Sequence, residues 1–216
     1  MLRIILARHG ESQADVEGRH EGRADFQLTE KGELQASLLA KYLKNNYKID
    51  EIYCSPLKRA YSTAEKIAKE CGVKIIVKDE LMEIDNGLLA GLTFEEAQQK
   101  YPLPPEGRKI YDPLPGGESI IDFRIRIEKF WIRFLDEKYN PNEEKTVCIV
   151  AHGGTISMLH KSILRLTLDT DIKFPTGDTG FHEWIIKDKE KVILRMNCQE
   201  HLIDYAYLQF DSECAV

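Results

Sequence analysis

The chain has 216 residues, of which 43% are hydrophobic and 31% charged, a composition typical of a soluble globular protein with one medium-sized domain. Its formal net charge of -6 argues against a general nucleic-acid binder, because such proteins usually carry a basic surface. No apolar run approaches the roughly 18 residues of a membrane span, and the first residues lack a targeting signal. We therefore expect a cytoplasmic protein without nucleic-acid or membrane partners.

The cysteines are consistent with a reduced, cytoplasmic protein. They are odd in number, irregularly spaced and without a CxxC pair, so they indicate neither a disulfide framework nor a zinc site. Two of them lie in apolar strand-like runs and are interpreted as small core residues. The five cysteines are Cys54, Cys71, Cys148, Cys198 and Cys214.

Strands and helices alternate along most of the chain. Apolar runs predict the strands, and capping residues followed by an apolar helical stripe predict the helices. In chain order these are a strand over residues 2–7, a helix capped by Thr29, a strand over 51–55, a helix starting at Ser55-Pro56, a strand over 73–77, helices capped by Thr93 and by Ser119, a strand over 146–151, a helix over about 154–166, and strands near 181–186 and 192–196. Such alternation implies parallel crossovers and a helix-covered α/β sheet.

Residues 101–117 contain five prolines and cannot form regular structure over their whole length. No repeat, low-complexity segment or linker divides the chain. We therefore predict one domain over residues 1–216, with a loop or lid insert around residues 88–117. Substrate specificity is expected in the loops over 88–117 and 169–180. The oligomeric state, monomer or homodimer, is left open.

Charged and imidazole side chains follow three of the predicted strands. Arg8 and His9 follow the first strand, His152 follows the strand over 146–151, and Arg59 lies shortly after the strand over 51–55. Ligands of open α/β sheets bind beyond the carboxyl ends of the strands, so neighbouring strands would bring these four side chains into one crevice. Arginine forks and the N-termini of the following helices favour a phosphate group there. We expect the glycines of these loops to let the backbone approach the ligand closely, namely Gly10, Gly153 and Gly154.

These residue types suit phosphoryl transfer to histidine. An unprotonated imidazole must face phosphorus, cationic donors must surround the oxygens, and a carboxylic acid must protonate the leaving oxygen. His9 suits the nucleophile, and Arg8, Arg59 and His152 suit the oxygen clamp. The residue types leave several acids open for the proton donor, which are Glu11, Asp79, Glu80, Glu83 and Asp85.

Six sequence blocks in one order resemble the histidine phosphatase superfamily, the family of cofactor-dependent phosphoglycerate mutases and their phosphatase relatives. They are "ARHGES" (7–12), "LTEKGELQA" (28–36), "SPLKRAYSTAE" (55–65), "LMEIDNGLLAGLT" (81–93), "PGGES" (115–119) and "VAHGG" (150–154). The resemblance implies a three-layer α/β/α sandwich with a mostly parallel sheet, a phosphohistidine on His9, and a proton donor at Glu83. It places Arg8, Arg59 and His152 on the phosphate and implies no metal or cofactor. Further substrate contacts are expected from Gly10, Ser12, Asp15, Glu21, Gly22 and Gly153.

The residues after Glu83 favour a phosphatase. Mutases of the family usually follow this acid with arginine and tyrosine and carry a later arginine pair, whereas here Ile84 follows and the later region has only Arg108 with Lys109. We therefore expect hydrolysis of a small phosphorylated metabolite. The alternatives are a 2,3-bisphosphoglycerate-dependent phosphoglycerate mutase and a weakly catalytic protein that binds a phosphorylated ligand.

Two positions depart from the family pattern. Asp15 and Glu21 stand where asparagine and glutamine are common, and a carboxylate facing phosphate would repel it. Either these side chains turn away, or they are protonated, or they bind a cationic group of the substrate. Pairing with a nearby cation is a further alternative, and the candidates are Arg19, His20 and Arg23. We assign no catalytic role to the remaining histidines, His20, His160, His182 and His201.

Overall fold

A six-stranded sheet forms the centre of the fold, in a computed structural model that describes residues 1–188 and 190–203. The strands are β1 (Leu2–Arg8), β2 (Glu51–Cys54), β3 (Ile75–Val77), β4 (Lys145–Ala151), β5 (Phe181–Lys187) and β6 (Glu190–Cys198). Their spatial order is β3-β2-β4-β1-β5-β6. The neighbouring pairs among β3, β2, β4 and β1 are parallel, whereas β5 and β6 extend the sheet as antiparallel strands. Cys214 lies outside the described residues.

Helices cover both faces of the sheet. They are α1 (Gln13–Glu17), α2 (Glu30–Asn46), α3 (Lys58–Cys71), α4 (Phe94–Lys100), α5 (Ile120–Lys138) and α6 (Gly153–Leu164). Alternate residues of β1 enter opposite cores, because successive side chains of a strand point to opposite faces. Ile5 packs with α2 and α3, whereas Ile4 and Leu6 pack with α5 and α6. The predicted three-layer α/β/α sandwich is therefore confirmed.

The register of the parallel strands determines where the predicted site residues lie. Arg8 pairs with Ala151 and Cys54 with Val150, so β1, β2 and β4 end at the same edge of the sheet. Phe181 pairs with Ala7, so the loop before β5 reaches that edge as well. The site is therefore built from chain segments that are distant in sequence.

The helix after β2 begins later than the sequence predicts. It starts at Lys58, with Leu57 in the capping position, rather than at Ser55-Pro56. The reason is that the Ser55 hydroxyl, 2.8 Å from Nε2 of His152, is part of the site, and it accepts only a long 3.3 Å hydrogen bond from Leu57. The short helix α1, which Ser12 and Asp15 stabilise as a capping box, was not predicted.

The predicted insert around residues 88–117 contains little regular structure. A short 3₁₀ helix (Gly87–Leu89) and α4 precede a segment without helix or strand that extends to Ser119. A lid function for this insert and a single domain over the whole chain stay predictions. No helix in the described part of the chain combines the length and apolar character needed to cross a bilayer.

Candidate active site

Two buried histidines meet at the carboxyl edge of the sheet. His9 follows β1 and His152 follows β4, and because those strands pair in register the ring centroids lie 5.1 Å apart. Neither side chain is exposed to solvent. The two imidazoles can therefore contact the same small group, as the sequence predicted.

The contacts of His9 identify the nitrogen that is free to react. Nδ1 lies 2.7 Å from the carbonyl oxygen of Gly10 and must carry the proton, since that oxygen can only accept. Nε2 accepts a 3.3 Å hydrogen bond from Nε of Arg59, which can only donate. Burial, followed by the positive charges of Arg59 and Arg8, holds the pKa of His9 well below its ordinary value. The imidazole is therefore neutral at neutral pH, and its unprotonated Nε2 can bond to a phosphorus atom in place of the Arg59 hydrogen.

Arg59 is held rigidly beside His9 by backbone carbonyls. The side chain is fully buried, and its terminal nitrogens donate 2.9 Å hydrogen bonds to the carbonyls of Gly22 and Ala24. Gly22 has a φ of 47°, and an added Cβ would lie 1.8 Å from Oδ1 of Asn86. Only glycine fits this position, so Gly22 supports the site by orienting Arg59.

Arg8 lies between two carboxylates. One terminal nitrogen is 3.2 Å from Asp15, and the other is 3.1 Å from Asp178 and 3.1 Å from the carbonyl of Thr176. Burial raises the pKa of Asp178, and the charge of Arg8 lowers it only in part. Asp178 was not named from the sequence, although it lies in the predicted specificity loop over residues 169–180.

His152 completes the group of nitrogen donors around His9. Its Nε2 lies 2.8 Å from the hydroxyl of Ser55, whereas its Nδ1 is buried and has no hydrogen-bond partner within the described ranges. Burial, and then the charge of Arg59, holds the pKa of His152 well below its ordinary value. If Nε2 accepts the Ser55 hydroxyl proton, Nδ1 carries a hydrogen that can bind a phosphoryl oxygen.

Glu83 lies at the N-terminus of α6, directly beside the His152 segment. Its two carboxyl oxygens accept hydrogen bonds from the amides of Ile84, at 2.9 Å, and Gly154, at 2.8 Å. An added Cβ at Gly154 would lie 2.5 Å from Oε1 of Glu83, so a larger residue there would displace that carboxyl group. At Gly153 such an atom meets no described residue within 4 Å, and a close approach of the Gly153 backbone to a ligand stays a prediction.

The acids that the residue types had left open have other partners. Glu11 accepts hydrogen bonds from Thr29 and Lys31, Asp85 is paired with Arg23, and Glu80 is 3.8 Å from Arg133. Asp79 forms no ion pair with the other described residues, and it is the first residue of a 3₁₀ turn that also contains Glu80. The geometry therefore favours Glu83 as the acid of the site.

Gly10 supports His9 rather than leaving open space for a ligand. Its carbonyl holds Nδ1 of His9, and its amide donates to Oγ1 of Thr63 at 3.2 Å. An added Cβ would lie 2.4 Å from the carbonyl oxygen of Gly32 in α2. Gly10 therefore packs tightly against α2, and a close approach of its backbone to a ligand stays a prediction.

The two unusual carboxylates both face the site. Asp15 accepts the amide hydrogen of Ser12 and pairs with Arg8, so pairing with Arg19, His20 or Arg23 is wrong for it. Glu21 accepts a hydrogen bond from the hydroxyl of Ser12, and lies 3.2 Å from Nε of Arg59 and 3.7 Å from Nε2 of His9. The alternative that Glu21 turns away is therefore wrong as well.

A metal ion would have to compete with the arginines. Among the described residues, His9, Asp15 and Glu21 place potential ligand atoms within 4.8 Å of one another. Arg8 and Arg59 already lie against these carboxylates, and their positive charges oppose a further cation. We do not interpret the three residues as metal ligands, and independence from metal stays a prediction.

The comparisons with known proteins agree with this geometry. The model of the histidine phosphatase superfamily (branch 1) matches residues 4–199. Phosphoserine phosphatase 1 of Hydrogenobacter thermophilus is 32% identical over 95% of this chain and 96% of its own. A phosphoserine phosphatase variant of Entamoeba histolytica, solved in complex with phosphoserine, has a TM-score of 0.74 and 29% identity over 94% of this chain and all of its own.

Mutases are also among the relatives. A 2,3-bisphosphoglycerate-dependent phosphoglycerate mutase of Rhizobium etli is 32% identical over 82% of this chain and 88% of its own. The phosphatases nevertheless match nearly the full length, which confirms the prediction of a phosphatase enzyme. On its six sequence blocks, its fold and the extent of the family match, the chain belongs to the histidine phosphatase superfamily.

Proposed function

We propose that the chain hydrolyses small phosphomonoesters through a phosphohistidine on His9. The observation that carries this proposal is the state of His9, a buried neutral imidazole with Nδ1 bound to Gly10 and Nε2 beside Arg59. A fixed tautomer with an accessible lone pair is what in-line attack on phosphorus requires.

The reaction proceeds in two displacements. In the first, Nε2 of His9 attacks phosphorus, the bond from phosphorus to the ester oxygen breaks, and Glu83 as a carboxylic acid protonates the leaving oxygen. In the second, water attacks phosphorus, the bond from phosphorus to nitrogen breaks, and Glu83 accepts the proton of the water. The enzyme returns to its starting state with release of inorganic phosphate.

The clamp stabilises the charge on the transferred group. Arg59 and Arg8 supply guanidinium hydrogens, and the buried Nδ1 of His152 supplies a neutral donor. Donors that are already oriented need no rearrangement in the transition state, so they stabilise it more than they would in water.

Hydrolysis is favoured over the mutase reaction by the charges of the site. A mutase of this type needs a bisphosphate cofactor, and three carboxylates, Asp15, Asp178 and Glu21, lie against the two arginines of the clamp. Arg108 donates to the carbonyl of Pro113, with Lys109 rather than a second arginine beside it. A protein that only binds phosphate is disfavoured because the chain has both a candidate nucleophile, His9, and a candidate acid, Glu83.

We also propose a cytoplasmic location. Cys54, Cys71, Cys148 and Cys198 are free thiols in the described part of the chain. Burial raises the pKa of Cys54 to about 12, and it raises the pKa of Cys148 as well. Such cysteines are small core residues rather than reactive or disulfide-forming groups.

The function is tested with p-nitrophenyl phosphate and then with a panel of phosphorylated metabolites, starting with phosphoserine because of the named relatives. We expect release of inorganic phosphate that is lost in His9→Ala and unchanged by a chelator. Isomerisation of 3-phosphoglycerate that depends on 2,3-bisphosphoglycerate would instead show a mutase. Tight phosphate binding without turnover would show a binding protein.

A further inference from the structure

Glu21 places a carboxyl group beside the nitrogen of His9 that would carry a phosphoryl group. Oε2 of Glu21 lies 3.7 Å from Nε2 of His9, the nitrogen that would carry phosphorus. Oε1 is fixed by the Ser12 hydroxyl and by Nε of Arg59, at 3.2 Å. A group held this close to Nε2 is within hydrogen-bond reach of a phosphoryl oxygen bound there.

The charges of the site make a carboxylate at this position unfavourable for a dianion. Arg8 and Arg59 supply two positive charges, and Arg8 is already paired with both Asp15 and Asp178. His9 and His152 are neutral, since burial and the arginines lower their pKa values. A charged Glu21 would therefore repel a phosphate dianion in this largely buried site.

We propose that Glu21 takes up one proton when a tetrahedral dianion binds, and that its carboxylic acid O–H then donates a hydrogen bond to an oxygen of that anion. This inference deepens the proposed function, since it rests on the same phosphoryl site. A protonated carboxyl is a donor of nearly the same shape as the glutamine amide common at this position. Binding of such a dianion would therefore weaken as the pH rises.

The groups that face Glu21 support this assignment of the proton. Ser12, at the start of α1, donates a hydrogen bond to Glu21. The positive charges of Arg59, in α3, and Arg8, at the end of β1, lower the proton affinity of Glu21. The negative charge of Asp15 raises it. Burial is the largest influence and raises the pKa of Glu21 above its ordinary value. The bound dianion would add a further negative charge and raise that pKa again.

Asp178 is the competing carboxyl. Its pKa is also raised by burial, but its recorded ion pair is with Arg8, whereas Glu21 lies against His9. Asp178→Asn is therefore the matched control for Glu21→Gln, because each variant replaces one carboxyl of the site by an amide of similar shape.

The test is the binding of sulfate, which remains a dianion across the range from about pH 5 to about pH 8. Isothermal calorimetry in buffers of different ionisation enthalpy gives both the affinity and the number of protons taken up. We expect the wild type to take up about one proton and to lose affinity by about tenfold per pH unit above the pKa of Glu21. In Glu21→Gln we expect about zero protons, a flat profile and tighter binding at about pH 8.

Asp178→Asn should keep the proton uptake of the wild type. The inference is overturned if the wild type takes up no proton or binds no sulfate, if Glu21→Gln keeps the slope, or if Asp178→Asn removes it. Calorimetry requires no turnover, so the two proposals can fail separately. Proton uptake without phosphate release would reject only the proposed function, and phosphate release without proton uptake would reject only the role of Glu21.

Discussion

At the scale of single residues, the site depends on which atom of each side chain is free. The proton of His9 lies on Nδ1 because Gly10 holds that nitrogen, and Glu83 is oriented by the backbone amides of Ile84 and of Gly154, the latter in the first turn of α6. The contact with Gly10 thus fixes both the orientation and the tautomer of His9. Substitutions that keep the shape of a side chain but remove its ability to gain or lose a proton should therefore be the most informative.

Replacing Glu83 by glutamine removes the proton donor and keeps the shape of the side chain. For alkyl phosphates, whose leaving group needs protonation, we expect kcat to fall by about 10²–10⁴-fold. For p-nitrophenyl phosphate, whose leaving group is activated, we expect a much smaller loss in phosphohistidine formation, measured as the burst rate. Glu80→Gln, whose carboxylate lies 3.8 Å from the exposed Arg133, is the control. Equal losses for the two substrate types would reject Glu83 as the acid.

The residues of the site were predictable from the sequence, but their charge environment was not. Each of the four predicted site residues follows the end of a strand and lies in one of the six sequence blocks, so their convergence could be inferred from fold topology. These residues are Arg8, His9, Arg59 and His152. Asp178 could not be predicted as a site residue, because it contacts Arg8 from a loop whose course depends on the antiparallel strand β5. The orientation of Glu21 likewise depends on contacts with Ser12 and Arg59, which no local pattern encodes.

At the scale of secondary-structure elements, α5 supports the segment that carries the acid. Arg126 of α5 donates hydrogen bonds to the carbonyls of Glu80, Met82 and Glu83, at 2.7, 2.9 and 3.2 Å. Its guanidinium also binds Glu118. One side chain therefore fixes the backbone that presents Glu83 to the active site.

Arg126→Met should leave these carbonyls without their donor and loosen the position of Glu83. We expect kcat for alkyl phosphates to fall more than the burst rate with p-nitrophenyl phosphate, by less than in Glu83→Gln. Because buried polar groups lose their partner, the free energy of unfolding should also fall by about 1–3 kcal/mol. Arg126→Lys, which keeps the charge, should recover part of the activity. A loss that is the same for both substrates would limit Arg126 to a structural role.

Helix capping gives a second test at this scale. Ser119 is nearly buried and forms a capping box with Asp122 at the start of α5. We expect Ser119→Ala to lower the free energy of unfolding by about 1 kcal/mol, measured by urea denaturation. Ser37→Ala is the control, because that hydroxyl donates to the carbonyl of Glu33 within α2 and caps no helix end. A loss in the control as large as that in Ser119→Ala would contradict a capping effect.

Elements with local signals were predicted well, and those shaped by tertiary contacts were not. The caps Thr29, Thr93 and Ser119 mark the starts of α2, α4 and α5 as expected. The five-residue α1 has too few residues for an apolar period. The start of α3 moved because Ser55 interacts with His152, a residue 97 positions away.

At the scale of the whole molecule, buried neutral histidines couple folding to pH. His160, His182 and His201 are buried, and burial lowers their pKa values to about 3, about 4 and about 4. Below about pH 6.5 the unfolded chain binds protons at these positions that the folded chain does not. These histidines therefore make their full contribution to the free energy of unfolding above this pH. That contribution is lost as the pH falls towards the folded pKa values.

The variant His182→Asn tests this coupling. It removes one group that gains a proton on unfolding, so between about pH 5 and about pH 6 the slope of unfolding free energy against pH should decrease by about 1.4 kcal/mol per pH unit. Urea denaturation at several pH values gives this slope. At about pH 8 the two proteins should differ only by a constant offset. Identical slopes below pH 6.5 would show that His182 is protonated in the folded chain.

The overall topology could be inferred only in part. Alternation of strands and helices predicted the parallel half of the sheet and its layers of helices. It did not predict that β5 and β6 extend the sheet in antiparallel fashion, because strand order depends on pairing between distant segments. That extension brings the loop before β5 to Arg8 and so adds Asp178 to the site.

The most direct test of the account is the isolation of the phosphorylated enzyme. Glu83→Gln is mixed with radiolabelled p-nitrophenyl phosphate and denatured in alkali, because phosphohistidine is labile in acid, and the label is mapped by mass spectrometry. We predict label on His9, which accumulates because the variant lacks the base for the second step, and none in His9→Ala. Release of phosphate without any label on His9, or turnover by His9→Ala at the wild-type rate, would contradict it.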